Sequence, residues 1–279
     1  MNFRKAAAFT IPAFLALAAV SLGAAVKVSP SIEQAVAGSW RSADSKSRDA
    51  DRHPAEALEF WGLKPGMSIL DVGPGGGWWT EILAPYARAN KGEYSATAAD
   101  IADPGLSENA RKGRNDFAAK FSDAAVYGKV NLVNWGAKAE PLPANRYDFV
   151  LVARGIHNWQ NGGNFEKNIA NIARSLKPGG ILAIEQHRAS AGQDPKVYNG
   201  YVDEAFVVAT IEKAGLKLDG KSEINANPKD THDHPFGVWT LPPVRQSAEN
   251  GKPVDPAFDR AKYDAIGESD RMTLKFVKK

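Results

Sequence analysis

Apolar positions along the chain change period again and again, and each change marks an element. Residues 67–72, MSILDV, form a short continuous apolar run of the kind a strand buried on both faces requires. Residues 73–77 are glycine-rich, and Trp79, Ile82, Leu83 and Tyr86 then recur at helical spacing. The same alternation predicts strands at 94–99, 130–133, 147–153 and 180–186. Between the last two, Phe165, Ile169, Ile172, Ala173 and Leu176 share one helical face, and Lys177-Pro178-Gly179-Gly180 supplies the stop. A later helix is expected to carry Val202, Ala205, Phe206 and Ala209, followed by a weaker strand at 216–224. Met272, Leu274 and Phe276 alternate in a closing strand at 272–277, read as a half-buried edge. Strands separated by helices predict an α/β domain with parallel strands joined by crossover helices.

Other stretches break this rhythm. Residues 1–26 start with Arg4 and Lys5, continue through an uncharged apolar run and close on Gly23, Ala24 and Ala25, the layout of a secretory signal. We therefore expect a signal peptide at 1–25 and an exported, periplasmic protein without a membrane anchor after cleavage. An uncleaved anchor is the alternative, since the run approaches the roughly 20 residues that span a bilayer. Residues 29–50 are polar and small, so 26–53 is read as an N-terminal arm that wraps the domain and lies outside the core. The domain proper is expected at 54–279. Within it, residues 225–271 are rich in proline and aspartate and form an insertion that either covers part of the site as a lid or shields a sheet edge.

Composition narrows the chemistry. The 279 residues have a formal net charge of +3, falling to +1 without the leader, and no basic run, so nucleic acid is not an expected partner. Absence of cysteine removes disulfides, thiolate metal sites and thiol nucleophiles. Any chemistry rests on oxygen and nitrogen groups, on a cofactor, or on a metal held without sulfur.

Asp71-Val72-Gly73-Pro74-Gly75-Gly76-Gly77 follows an apolar strand and precedes a helix. Glycines there permit positive φ and close approach of a ligand to the backbone, next to the positive end of a helix dipole. A dinucleotide fingerprint would need glycine where Trp78 stands, and a phosphate loop would need Lys-Ser/Thr where Trp78 and Trp79 stand. Both are disfavoured, and the two indoles are expected in the core or the cleft wall.

The chain resembles the class I S-adenosylmethionine-dependent methyltransferases over about residues 54–224. Asp71, Gly73, Gly75 and Gly77 match the first motif of that family, and the likeness continues through Asp100, Tyr147-Asp148-Phe149-Val150 and Leu176-Lys177-Pro178-Gly179-Gly180. More narrowly it resembles a group of exported predicted methyltransferases with Trp239-Thr240-Leu241-Pro242-Pro243 and Ile266-Gly267-Glu268-Ser269-Asp270-Arg271. The resemblance implies a Rossmann-like seven-stranded sheet, mostly parallel with an antiparallel last strand, and helices on both faces. It implies S-adenosylmethionine as cofactor, with Gly73, Gly75 and Gly77 under the methionine moiety. Asp71 would hold the loop or reach the amino group through water, and Asp100 would bind the ribose hydroxyls or, alternatively, cap the next helix. The family often meets adenine with an acid after the third strand, whereas Asn134-Trp135-Gly136-Ala137-Lys138 offers none before Glu140.

Arg154, His157 and Asn158 follow the fourth strand, where the family builds the wall between cofactor and acceptor. His157 is the first candidate for a general base, because imidazole titrates near neutrality; a purely structural histidine is the alternative. His187, past the fifth strand, is the second candidate or else a surface cap. Asp230, His232, Asp233 and His234 contain a His-x-His pair, but no further ligand is fixed by spacing and we expect no metal. The expected function is methyl transfer to a small-molecule acceptor, membrane-derived ones included. A non-catalytic adenosyl-binding protein that keeps the fold is the second possibility, favoured by export because the cofactor is made in the cytoplasm.

Overall fold

The computed structural model describes residues 27–194 and 196–279; the expected signal peptide at 1–25 lies outside them. Four short helices open the described chain: α1 (Pro30–Ala37), α2 (Ala43–Ser47), α3 (Asp49–Arg52) and α4 (Pro54–Trp61). Strand β1 (Ser68–Val72) leads through the glycine loop into α5 (Thr80–Ala89), then β2 (Glu93–Ala99), α6 (Glu108–Lys120), α7 (Ala124–Tyr127) and β3 (Val130–Trp135). The second half runs β4 (Tyr147–Ala153), α8 (Ile156–Asn161), α9 (Phe165–Ser175), β5 (Leu176–His187), α10 (Glu204–Lys213) and β6 (Leu216–Ser222). A single 3-10 turn (Gly237–Thr240), α11 (Arg260–Asp264) and β7 (Arg271–Lys278) complete it.

The sheet has seven strands in the order β3-β2-β1-β4-β5-β7-β6. Pairs from β3 through β5 are parallel, and β7 inserts antiparallel between β5 and β6. Alternation along each central strand feeds two cores. Ile69, Phe149, Leu151 and Ile181 face Leu58, Trp61, Ile82 and Leu83 of α4 and α5. Leu70, Val72, Val150 and Val152 face Ile169 and Ile172 of α9 and Val207 and Ile211 of α10. Strands buried on both sides explain why the sequence shows continuous apolar runs rather than alternation.

Three local expectations change. The helix at 204–213 turns Val207, Thr210 and Ile211 inward, not Ala205, Phe206 and Ala209; its cap at Asp203, which accepts from the Phe206 amide, sets that register, and Val202 precedes the helix. Phe206 stays largely exposed against Phe165. Lys177-Pro178-Gly179-Gly180 does not separate helix from strand, because α9 ends at Ser175 and Leu176 already pairs with Tyr147, with a register shift absorbing the turn. The segment expected outside the core supplies buried Ile32 and Ala35 from α1, and buried Arg41 and Arg52, to the side of the sheet that carries α4 and α5. Its polar character serves ion pairing: Arg41 grips Asp49 through two bonds of 2.6 and 2.7 Å.

Among the described residues, no helix is long and apolar enough to cross a membrane.

Candidate active site

Parallel strands place their carboxyl ends on one edge, and the loops leaving β1, β4 and β5 converge there on a cavity of about 640 Å³. Its floor is the glycine loop. Gly73, Gly75 and Gly77 have φ of +70°, +57° and +85°, a region that side chains with Cβ enter at a cost. The Gly73 amide donates to Thr97 Oγ1 of β2 at 2.8 Å, which fixes the start of the turn. A Cβ on Gly73, Gly75 or Gly76 would meet nothing within 4 Å, so that side of the loop is open. Gly77 differs. A Cβ there would lie 2.2 Å from Phe121, and Gly77 does not border the cavity. Its role is close packing of the loop against the end of α6, while Gly76, outside the alternating glycine pattern, joins the open floor.

Asp71 borders the cavity from the end of β1 and is almost wholly buried. Burial pushes its carboxyl up to about 7, against the stabilising hydrogen bonds of Tyr94 and Thr80. The Tyr94 hydroxyl donates to Asp71 Oδ2 at 2.9 Å and lies 2.8 Å from Thr80 Oγ1, tying β1, β2 and α5 together at this point.

A second hollow of about 340 Å³ shares Gly73, Pro74, Gly75 and Trp135 with the first and runs toward Thr97, Ala99 and Arg114. Arg114 of α6 donates to Ala99 O at 2.8 Å and to Asn134 Oδ1 at 2.9 Å, closing the ends of β2 and β3. Asp100 follows Ala99 but lines neither hollow. Its Oδ1 accepts from the Ala102 amide at 3.0 Å, the turn-capping arrangement.

The opposite wall comes from β4, α8 and β5. Arg154 takes φ +55°, unusual for a residue with Cβ, and its amide donates to Glu185 O at 2.7 Å. Its side chain borders the cavity, 3.8 Å from Glu268, with Nε buried and unbonded among the described residues. Asn158 also borders it and accepts from the Tyr198 hydroxyl at 3.0 Å. His157 does not. The first turn of α8 directs it behind the wall, where Nδ1 lies 3.3 Å from Gln186 Nε2; burial lowers its basicity, partly offset by Gln186. His187, the last residue of β5, is the histidine that borders the cavity.

The roof draws on residues far apart in sequence. Ser45 and Arg48 come from the N-terminal helices, and Val238, Trp239, Pro242, Pro243, Val244, Glu268 and Ser269 come from the segment at 225–271. One carboxylate holds these parts together: Glu268 accepts from Arg48 Nε at 2.9 Å, Arg52 Nε at 2.9 Å and Arg271 Nη1 at 2.9 Å. Arg271 also bonds Glu185 at 2.8 Å, and burial raises the Glu185 carboxyl against the pull of Arg271. Trp78 Nε1 donates to Ser45 O at 2.9 Å while Arg52 lies over its ring at 4.7 Å, so the start of the loop helix is pinned to the roof. The two indoles at 78 and 79 are thus both buried and part of the cavity wall. Sequence reading missed Arg48, Glu268 and Ser269 as site residues, since no local pattern marks a contact across 220 positions.

Asp230, His232 and His234 lie elsewhere. Asp230 accepts from the Tyr201 hydroxyl at 2.9 Å, from the Asp270 amide at 2.8 Å and bonds His234 Nε2 at 2.8 Å, so its lone pairs are engaged by protein donors.

Similarity to known proteins agrees with this geometry. Residues 47–220 match the family described as Methyltransferase domain. The chain is 33% identical over 145 residues to the ubiquinone/menaquinone biosynthesis C-methyltransferase UbiE of Shewanella pealeana, covering 52% of each chain. It is 32% identical over 207 residues to the protein of that name from Shewanella woodyi, covering 74% of this chain and 72% of the relative. It spans about half the length of several of the curated relatives it matches. The crystal structure of the [4+2]-cyclase SpnF shares the fold at a TM-score of 0.53 with 18% identity, over 86% of this chain and 84% of that one. The open glycine floor at the end of β1 fits S-adenosylmethionine, and the chain belongs to the class I S-adenosylmethionine-dependent methyltransferases.

Proposed function

We propose that this chain transfers the methyl group of S-adenosylmethionine to a small-molecule acceptor held between the glycine loop and the wall formed by Arg154, Asn158, His187 and Trp239. The observation that carries the reading is the unobstructed side of Gly73, Gly75 and Gly76, facing one end of a cavity whose far end is lined by polar groups and indoles. When bound, the cofactor supplies a methyl group activated by a sulfonium; the chain has to position the acceptor in line and exclude water.

In this reading Gly73 and Gly75 pass beneath the methionine moiety and Gly77 supports them from behind. Asp71, whose carboxyl burial pushes up to about 7, is drawn into its deprotonated form when an ammonium group approaches. Trp135 walls the nucleoside side, while Asp100, which lines neither hollow, caps the turn after β2. Arg154 and Asn158 orient the acceptor. Trp159, Trp239 and Pro242 offer flat apolar faces, which suit a planar acceptor. Relatives named for C-methylation in ubiquinone and menaquinone biosynthesis support a ring-bearing acceptor of that kind, membrane-derived ones included.

Incubation with methyl-labelled S-adenosylmethionine and a panel of hydroxylated aromatic and quinol acceptors tests the proposal. Label appearing in an acceptor, and lost in Arg154→Ala, is expected. Tight cofactor binding with no transfer to any acceptor would instead favour the non-catalytic adenosyl-binding protein. Export by the leader at 1–25 is part of the proposal. A mature protein starting near residue 26 in the periplasmic fraction is expected, and an intact leader in the membrane fraction contradicts it.

A further inference from the structure

His157 and His187 stand side by side with ring centroids 5.5 Å apart, yet His187 borders the cavity and His157 does not. We propose that His187 is the catalytic base, its Nε2 taking the proton of a hydroxyl-bearing acceptor while Ser269 holds the ring; this rests on the methyl-transfer reading above.

The geometry comes from the antiparallel pairing of β5 and β7. His187 is in register with Arg271, which brings Ser269, just before β7, over the end of β5. Ser269 Oγ lies 2.5 Å from His187 Nδ1, and both residues line the cavity. With Nδ1 engaged by Ser269, Nε2 is the nitrogen left for a ligand. The neighbouring histidine is bonded at Nδ1 too, but it sits behind the cavity wall. Gln186, which contacts His157, also accepts from the Ile156 amide at 3.1 Å and donates to Gly200 O at 3.2 Å, a fully committed structural amide.

The chemistry suits a weak base. A lone pair of the acceptor hydroxyl forms the new O–CH₃ bond as the S–CH₃ bond breaks and its electron pair stays on sulfur. The hydroxyl proton passes to Nε2, and the imidazolium later releases it to water. As the O–C bond forms, the oxygen becomes strongly acidic, so even a weakly basic imidazole accepts the proton. His187 is held well below the ordinary histidine range, first by burial and then by His157 and Arg271, and it is therefore unprotonated at neutral pH. The groups facing it are His157 from α8, Arg271 and Ser269 from the β7 end, and Tyr201, whose ring lies 6.4 Å away; Arg154 and Glu268 border the same cavity. No carboxylate contacts the imidazole, so nothing among the described residues draws it into the charged form beforehand.

The test uses full-length mature protein with labelled histidines, saturated with S-adenosylhomocysteine, and 4-nitrophenol as the acceptor probe. NMR signals of His187 are expected to move on addition of the phenol and to titrate below pH 6.5, with those of His157 changing less. His187→Gln is expected to weaken phenol binding at least about tenfold, while S-adenosylhomocysteine affinity stays within about twofold; His157→Gln leaves both unchanged. His187→Asn, whose amide stays near Ser269, serves if the glutamine variant does not fold. With any acceptor that turns over, His187→Gln is expected to lower kcat by about a hundredfold or more at unchanged KM for the cofactor. Phenol signals arising at His157 rather than His187, unaltered phenol binding by both His187 variants, or no phenol binding at millimolar concentration would overturn the assignment. Failure of S-adenosylhomocysteine to bind is a separate result, and it sinks the methyl-transfer reading itself together with this one.

Discussion

The two ends of the cavity are built by different means. The glycine floor is local: one strand, one turn and one helix within residues 68–89 place it, and backbone conformation decides what it can hold. The acceptor end is assembled from Ser45, Arg48, residues 153–155 and 158–159, His187, Val238, Trp239, residues 242–244 and residues 268–269, joined by arginines around Glu268. A local site tolerates change around it, whereas an assembled one depends on a few long-range ties. Damage to the first should appear as lost cofactor binding, and damage to the second as lost stability.

The largest effect is expected at Glu268. Glu268→Ala leaves buried Arg52 and Arg271 without their shared carboxylate, and loss of one partner of a buried ion pair costs about 3–5 kcal/mol. Urea unfolding measures it. A cost below about 1 kcal/mol would mean that the roof does not depend on this tie.

Asp71 gives the next effect, through pH. Its folded carboxyl titrates at about 7 and its unfolded one near 3.8, so between those values the folded state holds the extra proton. The stability contribution is therefore present at acid pH and is lost as pH rises through 7, by up to about 4 kcal/mol between pH 4 and pH 8. Asp71→Asn should flatten that slope, and an unchanged slope would place the titrating group elsewhere.

Paired glycine variants sharpen the contrast within the floor itself. Gly77→Ala combines positive φ with a clash at Phe121 and should cost about 2–3 kcal/mol of stability. Gly75→Ala meets open space, so it should cost about 1–2 kcal/mol from φ alone and express itself mainly as weaker cofactor binding. Unfolding and binding measured together on both variants would erase the distinction if the two behaved alike. The smallest effect is expected at His157→Gln, with turnover within about tenfold of wild type, because a group behind the wall acts through packing.

Legibility in the sequence follows the same division. The run from Asp71 to Tyr86 announces strand, turn and helix because every constraint there is short-range, and the three positive-φ glycines stand where the motif requires them. Even so, the motif does not separate Gly77, which packs on Phe121, from Gly76, which faces the cavity. The β7 strand is legible as Met272, Leu274 and Phe276, but its insertion between β5 and β6 buries all three, where the pattern suggested an edge. His157 and His187 read alike, each just past a strand. What separates them is the Gln186 bond behind the wall and the Ser269 bond in front of it, and the second is made across 82 positions. The arm at 26–53 reads as solvent-facing because its arginines look like surface charges until Glu268 is brought to them by the fold.

Calorimetric titration of S-adenosylhomocysteine into the mature chain and into Gly75→Ala tests whether the open glycine floor holds the cofactor. Saturable one-site binding by the wild type is expected, with a loss of at least about tenfold, or about 1.4 kcal/mol, in a variant that still unfolds cooperatively. Equal affinity in the two proteins, or no binding by folded wild type, would contradict the claim that the open glycine floor holds the cofactor.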